Sequence, residues 1–270
     1  MSIFRISMAY VLLLLASQVY ADDCQPPGKP ESAVVTYIYD GDTVRLQDGR
    51  KVRLLGINTT EMGRDGGKDQ PLARAAQKTL EELLGESRPA PLNQVTLYFD
   101  TELQDRYGRY LAHLYVQDKS LERELLSRGL AYHVAFPPNL TLAKCFDRDE
   151  QFAREAGLGL WSDSGIPASA STNITEGGYQ RFYGKVERVA FAGAWWIELE
   201  GKVTAAIYPE HQYRFKRADV EAWQGQQLEL EGWVYKGKYS KKHGRSWRVK
   251  LETPYAVTLG SNDRLPVLVE

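Results

Sequence analysis

Cysteine and histidine are scarce in this 270-residue chain, which holds two of the former and four of the latter. His113, His133, His211 and His243 are scattered and form no His-Glu-x-x-His pattern, and no second Cys or His lies at finger-like spacing, which argues against a zinc site. A Gly-x-Ser-x-Gly elbow and a credible Cys–His pair are also missing, so nucleophilic catalysis by Ser or Cys has no footing. Charge of one sign is absent overall: 34 Lys+Arg stand against 35 Asp+Glu. Any case for nucleic-acid binding must therefore be local. No apolar run is long enough to span a bilayer. A helix over residues 8–17 rises about 15 Å, half the roughly 30 Å hydrocarbon layer, so no membrane anchor is expected. Repeats of solenoid period are lacking. With 43% hydrophobic and 26% charged residues, the remainder is an ordinary globular chain of one or two domains.

The short apolar run has another meaning. Arg5, the stretch MAYVLLLLA (8–16) and small residues at Val19-Tyr20-Ala21 form a secretory signal peptide, residues 1–21, cleaved near Ala21. The mature chain is then periplasmic or secreted. Cys24 follows Ala21-Asp22-Asp23, which is no lipoprotein site. In an oxidising compartment Cys24 and Cys145 are candidates for a disulfide tying the 22–31 arm to the body; one exposed and one buried thiol is the other reading.

Residues 163–178 (DSGIPASASTNITEGG) show no apolar period and read as a flexible linker between a first domain, 32–162, and a second, 179–260. In the first, AVVTYIY, DTVRLQ and KVRLLGI are β-rich runs punctuated by Asp40-Gly41 and Asp48-Gly49, and NQVTLYF and RYLAHLYV add two more strands. Leu72, Ala76, Leu80, Leu83 and Leu84 repeat at helical spacing over 71–85, and two further helices follow near 121–130 and 145–157. The expectation is an α+β, mainly β fold: a five-stranded OB-type barrel with three helices, then a second small OB-like barrel of about five strands.

Three stretches carry the chemistry. DGDTVRL (40–46) offers two carboxylates at a glycine turn; RLLGINTTE (53–61) an arginine, an amide, two hydroxyls and a carboxylate; DRYGRYLAHLY (105–115) two arginines beside a tyrosine. Singly, each is explained by a hairpin turn or a solvated strand face. Together they supply what phosphodiester hydrolysis needs: hard oxygen ligands for a cation, a carboxylate to activate water, and two cations for a phosphate whose charge grows in the transition state.

Residues 33–161 resemble the thermonuclease (staphylococcal-nuclease-like) family, through DGDTVRL, KVRLLGINTTE, DRYGRYLAHLYV, ELLSRGLAY and GLGLWS in that order. The resemblance implies a five-stranded barrel with three helices and calcium-dependent hydrolysis of DNA and RNA; the further expectations are a monomer that prefers single strands, with another divalent cation as the alternative to calcium. It implies that Asp42 and Asn58, with the Thr59 carbonyl, hold the ion, that Glu61 is the general base, and that Arg53 and Arg109 clamp the phosphate. Tyr107 would lie near a terminal phosphate and Phe136 near the nucleotide.

Departures from the family pattern matter. Asn58 stands where the family usually has a carboxylate, so the site loses a formal charge and calcium affinity should fall toward roughly 10⁻⁴–10⁻³ M. Thr60 replaces a common proline. Strand periodicity places Arg53 and Asn58 on opposite faces, so a turn or bulge must intervene. The glycine-rich stretch 62–71 reads as a mobile loop beside the site or a plain surface loop. A binding module of two barrels with weak or no catalysis is the alternative to an enzyme.

The second domain is locally basic, with 14 Lys+Arg against 9 Asp+Glu over 179–260. Lys236, Lys238, Lys241, Lys242 and Arg245 fall in one decapeptide flanked by Tyr235 and Trp247, which suits single-stranded nucleic acid or is a solvated hairpin. Its tryptophans, 195, 196, 223, 233 and 247, are expected mostly in the core.

Overall fold

A computed structural model describes residues 24–63, 66–85, 93–237, 247–260 and 263–264. The expected signal peptide, and Lys238, Lys241, Lys242 and Arg245 of the basic decapeptide, lie outside the described residues.

Alternating apolar residues build the first barrel from β1 (Glu31–Ile38), β2 (Thr43–Leu46), β3 (Lys51–Leu54), β4 (Gln94–Tyr98) and β5 (Tyr110–Val116). β1 pairs antiparallel with β2 and β4, β2 with β3, and β4 with β5. A parallel β3–β5 ladder then closes the ring, so these five strands form a barrel. Val44, Leu46, Val52, Leu54, Leu97 and Leu114 point into the core. Helix α1 (Ala73–Gly85) covers it with Ala76, Leu80, Leu83 and Leu84 at the anticipated spacing, each leucine stabilising by about 1.5–3 kcal/mol. The helix starts after Leu72, whose φ of 66° cannot belong to it.

Helix α2 (Leu121–Ser127) is capped by the Ser120 hydroxyl, which accepts from the Arg123 N–H at 3.3 Å. Its fully buried Glu122 accepts the β5 Leu114 N–H at 2.9 Å and the Ser120 hydroxyl at 2.8 Å, meeting the rule that buried charge be hydrogen-bonded. His113 lies 3.7 Å from Glu122 in the same buried cluster, remote from solvent. Helix α3 (Ala143–Glu155) carries Cys145, which is bonded to Cys24 across 121 residues of sequence. A loop of that length contributes typically about 2–4 kcal/mol through the unfolded chain. Among the described residues no helix is long and apolar enough to cross a membrane.

The second barrel comprises β6 (Gly178–Ala192), β7 (Ala194–Leu199), β8 (Val203–Ile207), β9 (Gln227–Lys236) and β10 (Trp247–Lys250). The long β6 pairs with both β7 and β9, β8 joins β7 to β10, and β9–β10 pairing closes the ring. One short helix, α4 (Arg217–Ala222), precedes β9. Trp195, Trp223 and Trp247 are buried among Phe182, Ile197, Leu230 and Val249. Trp233 is not: it is 47% exposed.

Residues 163–178 are not the free coil their composition suggests. Ser169 and Ala170 pair in parallel with Phe182 and Tyr183 of β6, Ile174 is buried in the second core, and the Ser171 hydroxyl donates to the Glu200 carbonyl at 2.8 Å. One apolar side chain and a two-residue ladder suffice to dock a segment without periodicity.

The barrels are joined by charge and by rings. Arg154 of α3 reaches Glu229 (3.0 Å) and Glu231 of β9 and lies over the Trp161 ring at 3.8 Å, with Arg181 over the same ring at 4.5 Å. Beside this cluster stand the Tyr132–Tyr179, His133–Tyr255 and Phe136–Trp233 pairs, with centroids 5.1–5.6 Å apart.

Candidate active site

The site forms where three chain segments meet at one end of the first barrel. The first is the Asp40-Gly41-Asp42 turn between β1 and β2. Its Asp42 N–H donates to Asp40 Oδ1 at 3.1 Å, and the Asp42 carbonyl accepts the Leu54 N–H at 2.8 Å, which pins the turn to β3. Glycine is needed between the carboxylates because a Cβ there would lie 2.6 Å from Ala76 and 2.7 Å from Thr59 Cγ2.

The second segment resolves the conflict of faces. After β3, the chain turns at Leu55-Gly56 and re-enters a short ladder in which Ile57 and Asn58 pair with His133 and Tyr132. Gly56 has φ +75°, and a Cβ on it would strike the Phe146 ring at 2.4 Å. The turn brings Asn58 back to Arg53, whose Nη2 donates to Asn58 Oδ1 at 3.1 Å.

Asp42, 6% exposed, is the hub. Oδ1 accepts the Thr43 hydroxyl at 2.9 Å; Oδ2 accepts the Thr59 N–H at 2.9 Å and its hydroxyl at 3.1 Å, and meets Arg53 Nη2 at 3.1 Å. Thr59 is thus turned to Asp42 by its donors. Arg53 Nη1 donates to the Leu54 carbonyl at 2.6 Å, so its guanidinium is fixed in plane.

The third segment supplies Arg109, just before β5. Asp105 holds its Nε at 2.7 Å and its backbone N–H at 3.0 Å, while among the described residues its terminal nitrogens donate to none. Asp105 is held below the usual carboxylate range against its own burial by the Arg109 side-chain and backbone bonds.

Asp40, Asp42, Arg53, Asn58, Glu61 and Arg109 line one cavity of about 470 Å³, with Lys51 and Trp233 on its wall. Thr59 stands behind it and opens instead onto an adjoining cavity of about 650 Å³ between the barrels, which shares Asn58, Glu61 and Trp233. Glu61 is exposed, and its backbone is tied to Gln70 in both directions, at 2.9 and 3.0 Å. Gly63 and Gly67 beside it approach closely, since a Cβ on Gly63 would meet the Gly67 carbonyl at 2.1 Å. Tyr107 stands outside the cavity, 69% exposed, with Arg106 and Arg109 over its ring at 4.9 and 5.8 Å. Phe136 lies against Trp233, lining a third cavity of about 220 Å³ rather than the first. Lys236 is exposed on β9, 5.9 Å from the Trp247 ring.

In the sequence Asp40 reads as one of the two carboxylates of DGDTVRL without a role of its own, and Trp233 lies outside every motif.

Burial and then the charge of Asp42 push the Asp40 carboxyl up to about 7. Two neighbouring carboxylates and the Asn58 amide oxygen are hard donors, and the repulsion between the acids is what a divalent cation relieves. The residues fit such an ion, although among the described residues no three His, Cys, Asp or Glu side chains gather to hold one. Asn58 puts an amide where a third acid would complete the set.

A pH dependence follows. A carboxyl whose pKa is raised on folding binds protons preferentially in the native state, so its contribution to stability falls as pH rises from about 4 to about 7. In chelator, the melting temperature of wild type relative to Asp40→Asn should drop over that window and stay level above it. A difference that is flat with pH would contradict the shift.

The family described as "Staphylococcal nuclease homologue" matches residues 51–163. The chain is 34% identical over 139 residues to "Endonuclease YncB" of Bacillus subtilis, covering 50% of this chain and 63% of that protein. It is 31% identical over 134 residues to "Thermonuclease" of Staphylococcus intermedius, covering 48% of this chain and 76% of that one. To "SPbeta prophage-derived endonuclease YokF" of B. subtilis it is 34% identical over 139 residues, 45% of that protein. The chain thus spans under two thirds of two of these three relatives. The family match ends at residue 163, before the second barrel begins.

Proposed function

The chain belongs to the staphylococcal nuclease homologue family, and on that premise we propose that it is a secreted or periplasmic, calcium-dependent nuclease that hydrolyses DNA and RNA with low sequence specificity. The observation that carries this reading is the convergence of two guanidinium groups and three acids on one 470 Å³ cavity. Arg53 and Arg109 donate to the non-bridging oxygens of a backbone phosphate, most strongly when negative charge accumulates there in the transition state. Glu61 accepts a proton from water as its oxygen bonds to phosphorus; the bond to the leaving sugar oxygen breaks, and that oxygen takes a proton from solvent. Calcium held by Asp40, Asp42 and Asn58 supplies further charge neutralisation when bound. These groups address the backbone, common to every sequence, which supports low specificity. The Cys24–Cys145 bridge supports an oxidising compartment.

The test is incubation of the purified chain with plasmid and single-stranded DNA, with millimolar calcium and with chelator. Chelator-sensitive degradation is the expected result. Retardation without cleavage at millimolar calcium would establish the binding-module reading, in which the amide of Asn58 leaves the ion site too weak.

A further inference from the structure

We propose that Trp233, on the second barrel, is the stacking platform for an unpaired nucleobase of the strand whose phosphate occupies the first barrel's cavity. The substrate-binding site is then built across both barrels. This inference rests on the nuclease reading for its kinetic arm and extends it to the form of substrate preferred.

Position is the first argument. Trp233 borders the cavity that holds Arg53, Arg109 and Glu61, the adjoining cavity between the barrels, and the aromatic cavity beyond. It is the place where a polar, charged pocket meets an apolar plane, as a nucleotide with its phosphate and base requires. Exposure is the second argument. Trp195, Trp223 and Trp247 of the same barrel are 7%, 1% and 8% exposed, while Trp233 keeps 47% of its surface in solvent. The third argument is rigidity. Tyr179 meets the indole nearly edge-on at 4.9 Å and Phe136 lies tilted at 5.6 Å, so the ring is oriented from two sides before any ligand arrives. Phe136 comes from the first barrel and is itself 43% exposed, which extends the surface across the junction.

Every base has a π-face, so a stacking platform adds affinity without selecting sequence. In a duplex those faces are covered by neighbouring base pairs. An aromatic platform beside the phosphate site therefore selects strands whose bases are unpaired.

The test uses the full chain with Trp233→Leu, which keeps apolar bulk against Tyr179 and Phe136 but removes the π-face, and Trp233→Phe, which keeps one. Binding of fluorescein-labelled oligothymidylate is measured in chelator, and KM and kcat are measured on single-stranded and duplex DNA with calcium. Trp233→Leu should weaken oligonucleotide binding and raise the single-strand KM by about 5- to 150-fold, with kcat little changed and the duplex KM unaffected. Trp233→Phe should recover most of the loss. Wild-type binding and KM in Trp233→Leu would overturn the proposal, as would a fall in kcat alone or an equal loss on duplex. If wild type binds oligothymidylate in a Trp233-dependent way but cleaves nothing, the platform stands and the nuclease reading fails.

Discussion

Replacing Arg53 by alanine should lower kcat on single-stranded DNA by about 10²–10³, or ~2.7–4 kcal/mol, while the protein stays folded. The geometry gives both halves of that expectation. Arg53 lines the cavity, and its guanidinium is fixed by the Leu54 carbonyl, Asn58 and Asp42, so its charge stands ready where phosphate charge develops. Its removal leaves Asp42 with three of its donors, the Thr43 hydroxyl and the Thr59 N–H and hydroxyl, so the turn keeps its anchors. Arg53→Lys should recover only part of the rate, because an ammonium cannot reproduce the planar fork. Arg109→Ala should lose a comparable factor. Arg45→Ala, an exposed β2 cation over Tyr37 at 5.5 Å and away from the cavity, should lose nothing. Turnover near wild type in either Arg53→Ala or Arg109→Ala, with an unchanged melting curve, would remove those residues from the mechanism.

Replacing Arg154 by alanine should destabilise the protein by about 3–5 kcal/mol, the usual cost of leaving buried charge uncompensated. Arg154 bridges Glu150 of its own helix to Glu229 and Glu231 of the second barrel, where Arg181 also meets Glu229 at 3.4 Å. Glu231 is 6% exposed; burial pushes its carboxyl up and Arg154 pulls it back. Without the guanidinium, the Glu231 carboxyl, already raised by burial, retains its proton in the folded state to higher pH. Native protein then binds more protons than unfolded chain, so the variant's deficit should grow across the range from acid to neutral pH. Thermal denaturation at both ends of that range reads it. A pH-independent loss below about 1 kcal/mol would show that the junction does not depend on this network. Because Trp233 sits two residues beyond Glu231, loss of the junction should also weaken oligonucleotide binding.

Both barrels were legible because period two in the strands and the 3–4 spacing of Ala76, Leu80, Leu83 and Leu84 are local signals. The turn between Arg53 and Asn58 was legible by contradiction. One glycine in an apolar run, Gly56, had to reverse the faces, and its contact with Phe146 explains why no other residue serves. Two features were hidden for different reasons. Residues 163–178 look unstructured because docking there needs only Ile174 and a backbone ladder, neither of which makes a pattern. Trp233 needed the packing of one barrel on another, which no window of sequence contains. Yet half of its signal was present: Leu228, Leu230 and Val234 alternate inward on β9, so the same period sets Trp233 outward with Glu229. A large indole on a wet face was the departure from the expectation that tryptophans fill the core.

The most direct measurement is a crystal structure of the full chain with calcium and a dithymidylate carrying a hydrolysis-resistant phosphorothioate linkage. The linking phosphorus group should lie between the Arg53 and Arg109 guanidiniums, within about 3 Å of donors on each, with the ion on the Asp40–Asp42–Asn58 oxygens. A linkage bound elsewhere, or either guanidinium turned out of the cavity while the dinucleotide occupies it, would contradict the account.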